Sequence, residues 1–214
     1  MRVMPTARSP NPARRSERAR LAILKATLDL TLRHGFTELT IDAIAARAGV
    51  GKQTIYRWWP SKGAVAAEAI MQATLPRVRL QDTGDFVADV RTQLRSMVQL
   101  MGDARFGPRI AELMGAALLD RSLAKWMIER VVVPLREKNR QHIARATQRG
   151  LVHATDEDVL ADVLFGPLWF RLLVSGASLD IAYADAVLDV VLSGVGRDRD
   201  RPPARRARGG PRTR

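Results

Sequence analysis

Cysteine is absent from the 214 residues. That excludes a disulfide scaffold, a thiolate metal site and thiol catalysis, and it fits a reducing compartment such as the cytoplasm. Long apolar runs are missing too, and the longest fall far short of the roughly 20 residues of a membrane span. The first residues are rich in Arg and Pro and lack the apolar stretch of a signal peptide. Alternating strand patterns and internal repeats are also lacking. Histidine is scarce: His34, His142 and His153 lie far apart with no ligand spacing, and each reads as a surface residue. No Ser/His/Asp grouping stands out, so an enzyme would lack a site, and neither a cofactor nor a metal is expected. Gly49-Val-Gly-Lys52-Gln-Thr54 superficially matches a phosphate loop, but Ala46 stands where that loop needs glycine and Gln53 where it needs Ser or Thr.

What is present is basic charge, +13 in all, and its placement matters more than its size. Residues 1–20 hold six Arg against one Glu, and residues 197–214 hold eight Arg against two Asp. Residues 21–70 carry only +2, and 71–196 balance. The two ends read as disordered, a basic arm over 1–15 and an Arg-rich tail over 197–214. They are either solvated tails or arms that hold a polyanion by releasing its counterions.

Between the ends the periodicity is helical throughout, which makes the chain all-α. Leu21, Leu24, Leu28 and Leu32 form one stripe from about Ser16 to Gly35. Thr40 is placed as an N-cap, with Asp42 in the first turn of the helix that follows. That helix stops at Gly49. Another runs from Gly51 or Lys52 to Trp59, and Pro60-Ser61 separates it from a helix reaching Leu75. Further helices are expected from Phe86 to Met101, after Gly107-Pro108, and from Leu123 to Arg149, the last with a kink or break at Pro134. Asp156 opens the next, its acidic run Asp156-Glu157-Asp158 matching a helix N-terminus, and Ser178 or Asp180 opens the final one.

Thr40 to Trp59 has the layout of a helix-turn-helix: a short helix, a glycine at the sharp turn, then a second short helix. Ala45 and Ala48 permit close approach, and Val50 and Ile55 plug the angle. The second helix then presents Lys52, Gln53, Thr54 and Arg57, groups suited to base edges and phosphates in a major groove. Gln53 suits either target equally.

Residues 17–77 resemble the DNA-binding domain of the TetR family of bacterial transcriptional regulators. The residues carrying this are Ile44-Ala45, Ala48-Gly49-Val50, Thr54-Ile55-Tyr56 and Pro60-Ser61-Lys62. Over 78–196 the likeness is looser and implies a helical ligand-binding and dimerisation domain. The resemblance implies that Lys52, Gln53, Thr54 and Arg57 face the groove, that Tyr56, Trp58 and Lys62 lie against phosphates, and that Thr40 caps its helix beside the DNA backbone. Gly51 departs from the family's usual Ser or Thr, and Trp58 from its usual His.

The family pattern also implies a homodimer on a near-palindromic double-stranded operator, built by pairing the last two helices into a four-helix bundle. Leu164, Leu168, Leu172, Val187 and Val191 are the candidate interface. It further implies a repressor released by a small apolar ligand, for which Met97, Met101, Phe106, Met114, Trp126 and Trp169 are candidate lining residues. Ordinary core packing is the commoner explanation of each of the six taken singly. Other readings are a nucleoid-type binder that relies on its basic ends, and a purely internal role for the last two helices.

Overall fold

A computed structural model describes residues 12–79, 81–153 and 156–195. The arm before Pro12 and the Arg-rich tail lie outside these residues. Among the described residues the chain forms ten α-helices: α1 (Pro12–His34), α2 (Ile41–Ala48), α3 (Lys52–Tyr56), α4 (Lys62–Thr74), α5 (Phe86–Met101), α6 (Gly107–Leu119), α7 (Arg121–Met127), α8 (Val133–Gln148), α9 (Glu157–Phe170) and α10 (Ile181–Val195). None of them is long and apolar enough to cross a membrane.

The helix ends follow side-chain chemistry. Oγ1 of Thr40 accepts the Ala43 N–H at 3.1 Å, and Oγ of Ser61 accepts the Ala64 N–H at 3.2 Å. Asp156 caps α9, and Asp180 rather than Ser178 caps α10, accepting the Tyr183 N–H at 2.8 Å. α1 begins at Pro12, so residues 12–15 are helical and not part of a disordered arm. Proline is tolerated in a first helical turn, where its missing N–H would be unpaired anyway, and Ala13, Arg14 and Arg15 are good helix formers.

Proline is handled differently inside the body. The long helix expected over 123–149 continues without interruption from Arg121 to Gln148, and near Pro134 it takes a π-helical turn at Ile128–Val132 between α7 and α8. The wider turn accommodates a residue that can neither donate an N–H nor tolerate the carbonyl four residues back. α9 holds Pro167 and passes into a second π-helical turn at Arg171–Ser175.

Two apolar cores organise the chain. The first gathers Ile23 and Leu24 of α1, Ile44 and Ala45 of α2, Ile55 of α3, Trp59, and Val65 and Ile70 of α4. It also takes in Leu113 of α6 and Leu123 and Met127 of α7, so this core does not end near residue 77. Gly63 marks the joint: a Cβ there would come within 2.9 Å of the Leu123 side chain, so glycine lets α4 and α7 meet closely. The buried face of α1 differs from the expected leucine stripe. Leu21 is exposed, while Ile23, Thr27 and Thr31 are fully covered. An apolar-only pattern misses this face because two of its members are threonines.

The second core joins α5 (Phe86, Val90, Leu94, Val98, Met101), α8 (Ile143, Ala146), α9 (Leu160, Leu164, Leu168) and α10 (Ala184, Leu188, Val191). Ion pairs staple its rim. Arg95 and Arg91 of α5 both donate to Asp185 of α10, at 2.8 and 3.0 Å. The Arg95 hydrogen bond, opposed by desolvation and aided by Arg91, holds the Asp185 carboxyl below the usual aspartate range.

Candidate nucleic-acid interface

α2 and α3 are set at an angle by Gly49, which takes a left-handed conformation (φ 66°) that a side chain would strain. Behind them Ile44, Ile55 and Trp59 are buried to within 1% of complete. α3 is therefore clamped by one face and presents the other. Lys52, Gln53, Tyr56 and Arg57 are exposed and Thr54 is half-buried. Gln53, Thr54, Tyr56 and Arg57 line one shallow open depression on that face.

α3 closes at Tyr56, three residues before the expected Trp59. The Arg57 N–H still bonds the Gln53 carbonyl at 3.1 Å, but the Trp58 N–H turns to the nearer Ile55 carbonyl at 2.9 Å. The Trp59 N–H shares that carbonyl at 3.0 Å, and Pro60, which disfavours helical geometry at the residue before it, keeps the helix from resuming.

The polar side chains have partners that the sequence did not suggest. Lys52 is ion-paired with Asp42 on the first turn of α2, and that hydrogen bond raises the lysine's pKa. Both groups are well exposed, so the pair is weak and can be exchanged for a phosphate or a base edge. Arg57 reaches toward Ser16 near the start of α1, 3.5 Å away. Trp58 is 40% exposed, and its ring lies within 6.0 Å of two guanidinium groups, those of Arg57 and Arg20. The ring thus gathers positive charge beside α3 although indole itself carries none.

Two unforeseen residues hold this face in place. Glu68 of α4 accepts the Trp59 indole N–H at 2.6 Å, is paired with Arg20 of α1, and takes a third contact from Gln72 at 3.4 Å. Glu112 of α6 accepts the Phe36 N–H at 2.7 Å, which grips the turn between α1 and α2 from the body side. Neither carries a local signal, because each is an ordinary helix glutamate until its distant partners arrive.

Lys62, expected against phosphates, also has partners within the chain. Its ammonium donates to the carbonyls of Leu39, Thr37 and Phe36, at 3.0, 3.3 and 3.5 Å, and lies 5.0 Å from the centre of the Phe36 ring. Bundling three carbonyls at the α1–α2 turn is a structural task. Lys62→Met is accordingly expected to lower the unfolding midpoint by an amount equivalent to ~1–3 kcal/mol, while leaving the salt dependence of DNA binding unchanged. A slope reduced by about one ion would return Lys62 to the phosphates.

The other candidate sites are rearranged. Met97, Met101 and Trp169 belong with the second core, whereas Met114 and Trp126 pack on the first. Phe106 sits beneath the Arg77 guanidinium, 5.0 Å away. The six are therefore divided between the two cores and the contact with Arg77. Methionine and aromatic residues mark core positions as readily as binding sites. Three of the five residues expected at the interface are covered within the protomer. Leu164, Leu168 and Val191 are buried in the protomer's own second core, with Leu172 and Val187 packed against it. The neighbouring stripe is the one left open: Val159, Val163, Phe170, Leu173 and Val174 along α9 and its π turn, with Ile181 and Val190 on α10.

A short helix clamped by its apolar side, a left-handed glycine turn and an exposed polar second helix define a helix-turn-helix DNA-binding head on a helical body. Residues 23–69 match the family described as bacterial regulatory proteins, tetR family, and residues 80–191 match the tetracyclin repressor-like C-terminal domain. The HTH-type transcriptional regulator YdeS of Bacillus subtilis is 36% identical over 180 residues, covering 84% of this chain and 89% of that protein. The crystal structure of the TetR-family regulator SCO0332 superposes with a TM-score of 0.73 at 33% identity, covering 84% of this chain and 99% of the other. A complex of SmeT with triclosan shares the fold at a TM-score of 0.60 and 21% identity, covering 91% of this chain and 99% of the other. The chain belongs to the TetR family and is a helix-turn-helix transcriptional regulator.

Proposed function

We propose that this protein is a sequence-specific repressor that binds a near-palindromic operator as a homodimer and leaves it when a small apolar ligand binds the body. The observation that carries the DNA reading is α3 itself, anchored by Ile55 and Trp59 while Lys52, Gln53, Tyr56 and Arg57 project outward. Such a helix fits a major groove, and two copies about 34–36 Å apart would meet successive grooves on one face of the duplex. Lys52, Gln53, Thr54 and Arg57 are the readers, with Tyr56 and Trp58 on the phosphate side and Thr40 beside the backbone at the start of α2.

The partner surface in this reading is the open stripe on α9 and α10. Ligand release is supported by the shared core. A shift of α6 would move Leu113 within the head's packing and pull on Phe36 through Glu112. A ligand that favours one spacing of the two heads would then disfavour the other. The triclosan bound to SmeT is an apolar compound of the kind expected here.

Selection from random duplexes is expected to return a palindrome. On that sequence Lys52→Ala and Arg57→Ala should each lose about 1–3 kcal/mol of affinity, far more than on random DNA. An operator-to-random affinity ratio near one would instead favour a nucleoid-type binder held by its basic ends.

A further inference from the structure

His142 does not take the surface position its isolation in the sequence suggests. It lies on α8 with its side chain 13% exposed, and its ring packs 5.2 Å from that of Phe86 on α5. Its Nε2 faces two carboxylates, Oδ2 of Asp89 on α5 at 3.5 Å and Oδ1 of Asp82, in the segment leading to α5, at 4.0 Å. The three ligand-type atoms all lie within 4.8 Å of one another. Both distances are too long for a good hydrogen bond. They are close to the roughly 3–4 Å that separates two donor atoms bound at about 2.1 Å to one first-row metal ion.

Charge argues in the same direction. Asp89 is 2% exposed, within the second core. A buried carboxylate is costly without a cation, and the only basic group paired with it among the described residues is His142. The remaining bonds behave as supports for ligands. Thr83 donates its N–H to Oδ2 and its hydroxyl to Oδ1 of Asp89, each at 2.8 Å. Arg145 holds Oδ2 of Asp82 at 2.8 Å, which leaves Oδ1 turned toward His142. With a neutral imidazole the cluster holds two carboxylates against one guanidinium, a surplus of negative charge. A narrow groove lined by Asp82, Gly84, Phe86, His142, Arg145 and Leu151 connects the cluster with solvent.

We propose that Asp82, Asp89 and His142 bind a single divalent first-row transition ion, of the Zn²⁺ or Co²⁺ type, that ties α5 and the segment before it to α8. An imidazole with two carboxylates selects such an ion over Mg²⁺, which favours oxygen ligands and retains its waters. Three protein ligands leave a coordination position open toward the groove for water or a small anion. The site is remote in sequence from α3 and stands independently of the DNA reading.

The test is a titration of the full-length, tag-free, chelator-stripped protein with Co²⁺, followed by visible absorption. A saturable 1:1 signal is expected, displaced by Zn²⁺ and unaffected by a large excess of Mg²⁺. His142→Ala and Asp82→Asn should each weaken binding at least tenfold, and the double variant His34→Ala/His153→Ala should bind normally. Asp82 is exposed, so its variant should fold, and the circular-dichroism melt of the metal-free form checks this. Absence of a 1:1 signal, or a signal that survives both His142→Ala and Asp82→Asn, overturns the proposal.

Discussion

Trp59→Ala should destabilise the protein by about 3–5 kcal/mol, the range for emptying a buried aromatic site. The indole is 1% exposed and lies in the core that joins α1, α3 and α4 to α6 and α7. Its loss would leave a cavity behind α3 and remove the 2.6 Å donor to Glu68, whose remaining partners tie α1 to α4. Trp59→Phe separates the two contributions. It keeps most of the ring volume and loses the N–H, for an expected loss nearer 1–2 kcal/mol. Urea unfolding of the three proteins measures both. If Trp59→Ala cost less than 1 kcal/mol, the head would not depend on this anchor. DNA binding by the Ala variant should fall with the folded fraction of the head, because α3 has only five residues and is far too short to hold itself together.

The paired change Val163→Asp with Val190→Asp should yield a folded monomer whose operator affinity is lower by about 10²–10⁴-fold, the gain that linking two half-site contacts supplies. Val163 is 49% and Val190 72% exposed in the protomer, so new carboxylates there meet water in the monomer and an apolar partner only in the proposed dimer. Leu168→Asp is the contrasting change. Leu168 is fully buried in the second core, and a charge there should abolish folding rather than pairing. Sedimentation velocity together with circular dichroism distinguishes the outcomes. A Val163→Asp/Val190→Asp protein that remains dimeric would move the interface off this stripe.

The contrast between Leu168 and Val163 shows where a sequence becomes ambiguous. α9 is apolar on more than one side, so periodicity alone offers several stripes and no means of choosing among them. The row Leu160, Leu164, Leu168 is buried in the protomer because α8 and α10 pack against α9 on that side. The methionine and tryptophan candidates divide between the two cores for a related reason. Their chemistry is that of a pocket and equally that of a core, and only the placement of α6 and α7 on the head separates Met114 and Trp126 from Met97 and Trp169.

Local rules were sufficient by themselves for much else. The helix starts at Thr40, Ser61, Asp156 and Asp180 rest on a side chain and an N–H two or three residues away. The turn at Gly49 needs only a residue that tolerates positive φ. The exposed reading face follows from Lys52, Gln53 and Thr54 in one short helix, and Arg57 just after it, while Ile55 points inward. These are interactions among near neighbours in the chain, and the amino-acid order specifies them directly. The tertiary structure alone decided the rest: Lys62 on three carbonyls, Glu68 beneath Trp59, Glu112 on the α1–α2 turn, and His142 between two aspartates. Each joins residues from separate helices. A lysine, a glutamate or a histidine has no distinctive pattern until packing sets which charges and which open backbone groups it faces.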